Sequence, residues 1–301
     1  MEARFVVTAL HEGQPLRNFI RGHKHFSSAL WKRIKWNGRV SVNGVDVHNA
    51  RMLLHEGDAV CLYWEENSDI VPADIPLDIL YEDESLLVVN KGPGMIIHPT
   101  SHGGHDTLVN AVAGYFLKKG EASGIHPVYR LDRNTTGTVI VAKSAKIQYA
   151  LSLSHDCIYR EYLALAEGEI PGQMGIVNAP IGRKEGSIIE WQVRKDGKPA
   201  RTEFTVLGRG RGYTALRLHL LTGRTHQIRV HLSYMGNPLL GDDLYGGPAE
   251  LIQRQALHAW SVCFVHPETG RLMKFTAPVP PDMKHLLDGI NTGIDEGRDG
   301  L

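Results

Sequence analysis

The sequence predicts an α+β protein: a small basic α+β module at the N-terminus, then a larger domain with a mainly antiparallel central sheet flanked by helices and loops. Three observations carry this. After about residue 77, short apolar runs with strand character dominate and do not alternate with helices as βαβ units would. A polar stretch from Glu65 to Pro76, punctuated by Pro72 and Pro76, reads as a linker between two folded regions. The residues before it place a cluster of positive charge on the order helix, helix, hairpin, strand.

In the first module, Leu16, Phe19 and Ile20, then Leu30 and Ile34, fit helical apolar spacing, and Ser27 and Ser28 can cap the second helix. Val40 to Val47 alternates around Asn43-Gly44, a strong hairpin signal. Glu56-Gly57-Asp58 then turns the chain into a strand from Ala59 to Trp64. The larger domain begins with strands at Leu77–Tyr81 and Leu86–Asn90 around an Asp-Glu turn. Helices are expected over Thr107–Phe116 and Lys146–Leu153. Further strands are expected at Val139–Ala142, Tyr162–Ala166, Phe204–Leu207, Thr214–Leu220 and Val262–Val265. The spacing of Val230 and Leu232 also suggests a strand around His226 to Leu232. This divides the chain into a small basic module (1–66), a linker that buries little (67–76), a main domain (77–287) and a disordered Gly- and Asp-rich tail (288–301).

An apolar fraction of 42% and a charged fraction of 22% over 301 residues are those of an ordinary globular protein. No apolar run approaches the ~18 residues that suggest a membrane span, and the N-terminus lacks signal-peptide features. Cys61, Cys157 and Cys263 lie far apart without metal-ligand spacing, which points to free thiols in the cytoplasm. Net charge is zero, but Leu16 to Val40 holds seven basic residues (Arg17, Arg21, Lys24, Lys32, Arg33, Lys35, Arg39) and no acid. Such asymmetry points to a phosphate-bearing partner better than net charge does.

The stretch Tyr129-Arg130-Leu131-Asp132-Arg133-Asn134-Thr135-Thr136-Gly137-Thr138 sets one carboxylate between two arginines, before a Thr-Thr-Gly turn and an apolar run. Flanking cations favour the charged form that a nucleophilic or basic carboxylate needs. Arg130-Leu131-Asp132 and the following Thr-Thr-Gly resemble the catalytic signature of pseudouridine synthases of the ribosomal large-subunit (RluA) type. Other blocks similar to that family follow in order: Asn90 to Pro99, Arg160 to Leu165, Gly197 to Thr202, Leu221 to Leu232, Gly241 to Gly246, and Leu257-His258-Ala259. Three positions depart from its pattern. Tyr129 stands for the usual His, Thr136 for Ser, and Arg160 for Lys two residues before Tyr162. The first module resembles the αL RNA-binding domain of a small-subunit ribosomal protein and of tyrosyl-tRNA synthetases.

The resemblance implies the pseudouridine synthase fold and isomerisation of uridine in RNA, without a cofactor. It implies Asp132 as the essential acid, through attack on the sugar carbon or removal of a sugar proton. It further implies Arg229 as the arginine that pairs with Asp132, Tyr162 as the aromatic that stacks on the extruded uracil and whose hydroxyl helps remove the proton from the new carbon attachment point, and Arg130 as the residue inserted into RNA. Arg17, Lys32, Arg33, Lys35, Arg39, Arg201 and Arg224 are the expected phosphate contacts. Structured RNA is the expected partner, ribosomal RNA foremost and tRNA second, for a monomer acting away from membranes. His226 and His231 lie five apart but lack the companions of a metal site, so no metal is expected. A non-catalytic RNA-binding assembly factor is the alternative of a different class. A glycosidic hydrolase would need a second carboxylate that the sequence does not offer convincingly.

Overall fold

The computed structural model describes residues 1–22, 26–65, 70–99, 104–153 and 158–290. Lys24, Cys157, the start of the linker and the tail from residue 291 onward lie outside these.

The basic module forms a four-stranded antiparallel sheet from β1 (Glu2–Val6), β2 (Arg39–Val42), β3 (Val45–Asp46) and β4 (Ala59–Tyr63), in the order β1-β4-β2-β3. The hairpin falls where Asn43 and Gly44 were expected to turn, both with positive φ, as the twist of paired strands favours. Helices α1 (Leu16–Gly22) and α2 (Ser28–Asn37) cover one face of the sheet, and the Ser27 hydroxyl accepts the Leu30 N–H as an N-cap. Leu16, Phe19, Ile20, Leu30, Ile34, Val60 and Leu62 close a small core, against which Ala145 also packs.

After the linker come β5 (Ile79–Glu82), β6 (Leu86–Lys91), α3 (Leu108–Lys119), β7 (His126–Pro127), β8 (Thr136–Ala142), α4 (Ala145–Leu153) and β9 (Tyr159–Glu167). There follow β10 (Met174–Asn178), β11 (Ile181–Arg183), β12 (Trp191–Val193), β13 (Arg201–Gly210), β14 (Tyr213–Leu220), α5 (Gln227–Tyr234), β15 (Leu257–Val265), β16 (Leu272–Thr276) and α6 (Pro281–Asp288). Strands join in the order β10-β13-β14-β9-β15-β8-β6-β5, with β16 on β15 and β7 on β8, while β11 and β12 make a separate hairpin. Only β15 and β8 run parallel among these pairs, so the sheet is mainly antiparallel as the sequence predicted.

Strand alternation divides the core. On β9, Tyr162, Ala164 and Ala166 face one layer, while Leu163 and Leu165 face the other, where α6 packs through Met283, Leu286 and Leu287. Tyr162 is thereby committed to the face that carries the Asp132 loop.

Three expectations need correction. Residues 227–234 are helical, not extended: Ile228 and Leu232 are four apart, so a run that alternates also makes a helical stripe, and periodicity alone cannot separate the two. The described end of the linker does not stand free. Ala73 N–H donates to Asn110 O at 3.0 Å, Asn110 Nδ2 donates to Val71 O at 2.7 Å, and Asp74 pairs with Lys118. The main domain also runs past 287, because α6 includes Asp288 and Ile290 is buried beside it.

Candidate active site

Asp132 sits in the loop between β7 and β8, and sequence-local bonds shape that loop. The Thr135 N–H closes a turn onto Asp132 O at 3.1 Å. Asn134 Oδ1 accepts the Gly94 N–H at 3.2 Å, and Arg254 Nη1 reaches Asn134 O at 3.2 Å. Beneath it, buried Lys91 spreads its ammonium over three carbonyls, Gly92 O (2.8 Å), Met95 O (2.9 Å) and Arg133 O (3.0 Å). Burial pulls the Lys91 amine down to about 7, with Asp132 acting the other way.

Gly137 anchors the loop to the sheet. Its φ is +110°, and a Cβ there would lie 2.2 Å from Ala259 O across the parallel β8–β15 contact. Only glycine allows that approach. Beside it, His258 Nε2 faces the Ala277 carbonyl at 3.3 Å, so Nε2 carries the proton and Nδ1 accepts from the Thr136 hydroxyl at 2.8 Å. Burial pulls this imidazole down to about 4.

Arg229 meets Asp132, but not as its main partner. Its Nε and Nη2 grip both oxygens of Asp242 at 2.7 and 2.8 Å, and the remaining Nη1 extends to Asp132 Oδ2 at 3.3 Å. Asp242 is wholly buried, whereas the Asp132 side chain is 24% exposed. The fork–fork geometry therefore spends its strength on orienting Arg229 and leaves one weaker contact for Asp132. Burial alone would lower the Arg229 pKa, but the two carboxylates outweigh it and hold it above its ordinary value.

His226 approaches Asp132 from the other side, its Nε2 3.8 Å from Oδ1. The Tyr245 hydroxyl accepts the Trp191 N–H at 3.0 Å and lies 2.8 Å from His226 Nδ1. Tyr245 is pushed up to about 12, chiefly by burial, so it keeps its proton and donates to Nδ1. Nε2 then carries the hydrogen that points toward Asp132. Burial lowers the His226 pKa, opposed by Asp132.

These groups border a cavity of about 420 Å³ lined by His98, Tyr129, Arg130, Asp132, Arg160, Tyr162, Arg224 and His226. It continues into a recess of about 60 Å³ walled by Thr135, Ile228, Arg229 and Leu257. Tyr162 is 4% exposed, and burial raises its pKa, with Arg160 opposing and Asp132 adding to the shift. It therefore presents a phenol ring rather than a phenolate at neutral pH. Arg130 is exposed at the rim, and Arg224 Nε donates to Pro199 O at 2.9 Å.

The structure thus gathers Asp132, Tyr162, Arg229, Arg130 and Arg224 at one cavity. Arg201 lies at the exposed start of β13 and does not line it. Arg17 stands on α1, and Lys32, Arg33 and Lys35 on α2. Arg33 also donates to Glu65 O, and Arg39 bonds Asp46 at 2.6 Å. Among the described residues no three His, Cys, Asp or Glu side chains gather around a metal-sized site, and no helix is long and apolar enough to cross a membrane. Asp242, His226, Tyr245 and Lys91 had no site role in the sequence reading. The blocks Asn90–Pro99, Leu221–Leu232 and Gly241–Gly246 were the signal that could have found them, since a polar residue inside such a block needs a partner elsewhere.

Comparison with known proteins identifies the family. The family signature described as RNA pseudouridylate synthase matches residues 85–234. An uncharacterized RNA pseudouridine synthase of Bacillus subtilis, YjbO, is 40% identical over 276 residues, covering 90% of this chain and 97% of that protein. The ribosomal large subunit pseudouridine synthase D of Vibrio vulnificus is 38% identical over 90% of this chain and 89% of its own length. Among solved structures, human RNA pseudouridylate synthase domain containing 1 superposes with a TM-score of 0.57 at 27% identity, covering 70% of this chain and 87% of that one. With that coverage, the chain belongs to the RNA pseudouridine synthase family, of the ribosomal large-subunit (RluA) type.

Proposed function

We propose that this protein isomerises uridine to pseudouridine in large-subunit ribosomal RNA, with Asp132 as the catalytic residue. The observation that carries this is the Asp132 carboxylate itself, partly exposed in the cavity floor, held by the third nitrogen of an arginine whose other two are fixed by Asp242. Relatives named as large-subunit pseudouridine synthases support the choice of RNA. tRNA is the second substrate reading, within the same chemistry.

The reaction breaks the bond between the sugar C1′ and uracil N1, turns the base, and joins C1′ to C5. C5 loses its proton and N1 gains one, so nothing is oxidised or hydrolysed. Asp132 acts either by adding at C1′ or by removing the C2′ proton. In both routes Arg229 orients the carboxylate without a full bidentate clamp that would quench it. The Tyr162 ring supplies a stacking face for the base, and its raised pKa makes that a better-supported role than proton abstraction.

The target base must leave its stack, at a cost of a few kcal/mol. Arg130, exposed at the cavity rim, is the residue that enters the gap in this reading. Phosphate contacts come from Arg224 and Arg201 and from Arg17, Lys32, Arg33, Lys35 and Arg39 on the first module. We assign residues 1–66 as an RNA-binding domain joined to a catalytic domain from residue 77, acting as a monomer in the cytoplasm.

A tritium-release assay tests this. Large-subunit rRNA transcribed with [5-³H]uridine loses label to water as C5 is re-bonded. Wild type releases tritium and Asp132→Asn does not. Release by Asp132→Asn within tenfold of wild type would refute the role of Asp132.

A further inference from the structure

Two of the departures from the family pattern touch each other. The Arg160 guanidinium lies over the Tyr129 ring, 5.2 Å from its centroid. Both are buried, at 5% and 7% exposure. The Tyr129 hydroxyl donates to Thr138 O at 3.1 Å, which fixes the ring against β8. Arg160 stands two residues before Tyr162 on β9, so their side chains leave the strand on the same face. Both members of the pair line the cavity that holds Asp132 and Tyr162.

Arg160 has no matching acceptor. Its Nε lacks a hydrogen-bond partner among the described residues, and no carboxylate among them pairs with it. A guanidinium cannot shed its charge, and burying it without a counter-charge is costly. The ring face of Tyr129 offsets part of that cost but accepts no N–H bond in the guanidinium plane. A nearly buried guanidinium stacked over a tyrosine ring at a cavity wall, with no protein acceptor among the described residues, is prepared for something that enters the cavity.

We infer that Arg160, braced by the Tyr129 ring, is a substrate-binding residue that takes a phosphate of the RNA at the target nucleotide. A phosphate offers the full negative charge and the paired oxygens that match a planar fork, which a uracil carbonyl does not. Arg130 and Arg224 on the same cavity favour the same sign of ligand. Tyr162 already provides the face for the base. Tyr129 is a positioning residue: it touches Arg160, and its hydroxyl is occupied by Thr138.

This assignment rests on the proposed function, and its test separates the two. The full-length protein is measured with a large-subunit rRNA transcript carrying [5-³H]uridine, for tritium release and for binding at several salt concentrations. Arg160→Gln should raise KM about tenfold or more, with a smaller loss in kcat. It should also make the slope of log Kd against log salt shallower by about 0.7–0.9, the contribution of one phosphate contact. Arg160→Lys should recover the salt slope but only part of KM. Arg160→Met should melt at or above the wild-type temperature, because it removes an unmatched buried charge. A wild-type salt slope for Arg160→Gln, or a fall in kcat alone, would overturn the phosphate assignment. A lower melting temperature for Arg160→Met would show a structural arginine instead. Absence of tritium release by wild type would defeat the functional reading, and this assignment with it.

Discussion

Removing the Asp242 carboxylate while keeping its shape, as Asp242→Asn, is the perturbation whose size the structure fixes best. Asp242 accepts two bonds from Arg229, at 2.7 and 2.8 Å, with the pair at 0% and 7% side-chain exposure. Breaking a pair buried that deeply leaves a charge without its partner and costs about 3–5 kcal/mol. At roughly 2–4 °C per kcal/mol for a domain of this size, the melting temperature should fall by about 6–20 °C. Catalysis should fall further than stability explains. Without Asp242, the Arg229 fork is free to close on Asp132, which it now touches through Nη1 at 3.3 Å. A shift of about 1 Å at a reacting group costs on the order of 100-fold in rate. The double variant Arg229→Met/Asp242→Leu removes both charges and should regain most of the lost stability, yet stay inactive. Thermal melts and tritium release on wild type, Asp242→Asn and the double variant make the comparison. A double variant as unstable as Asp242→Asn, or one that releases tritium at the wild-type rate, would refute the reasoning.

Gly137→Ala should cost at least about 3 kcal/mol, because the new Cβ meets Ala259 O at 2.2 Å and φ is +110°; a variant melting within a degree of wild type would contradict this. Lys91→Met should cost about 2–3 kcal/mol and slow tritium release, since Gly92 O, Met95 O and Arg133 O lose their shared donor; denaturant titration measures the first. His258 supplies an acid-dependent term. Its folded pKa is about 4 against an ordinary 6.5, so between these values the unfolded chain binds a proton that the folded one refuses. Its contribution is full above pH 6.5 and is lost as pH falls toward 4, by about 3 kcal/mol. His258→Gln should flatten that part of the stability–pH curve, and an unchanged curve would count against it.

Much of the fold was legible because local signals agreed. Asn43-Gly44 between alternating strands and Ser27 before α2 each serve as predicted, while Thr107, expected inside its helix, caps it instead. The region around Arg229 was misread because Ile228, Val230 and Leu232 satisfy both a strand and a helix pattern, and the choice depends on distant packing. Asp132, Tyr162 and Arg229 were legible as residues through the motifs around them. Their relation was not: that Arg229 spends two nitrogens on Asp242 follows from a contact across 13 positions, which no spacing rule announces. The linker looked free because its residues are polar, yet its bonds to Asn110 are made mostly by backbone atoms, which sequence polarity does not report.

The most direct test of the central claim is pseudouridine mapping of large-subunit rRNA and bulk tRNA from cells lacking this gene, rescued with wild type or Asp132→Asn. The account predicts that specific uridines in large-subunit rRNA lose modification and that only wild type restores them. Restoration by Asp132→Asn, or loss confined to tRNA, would contradict it.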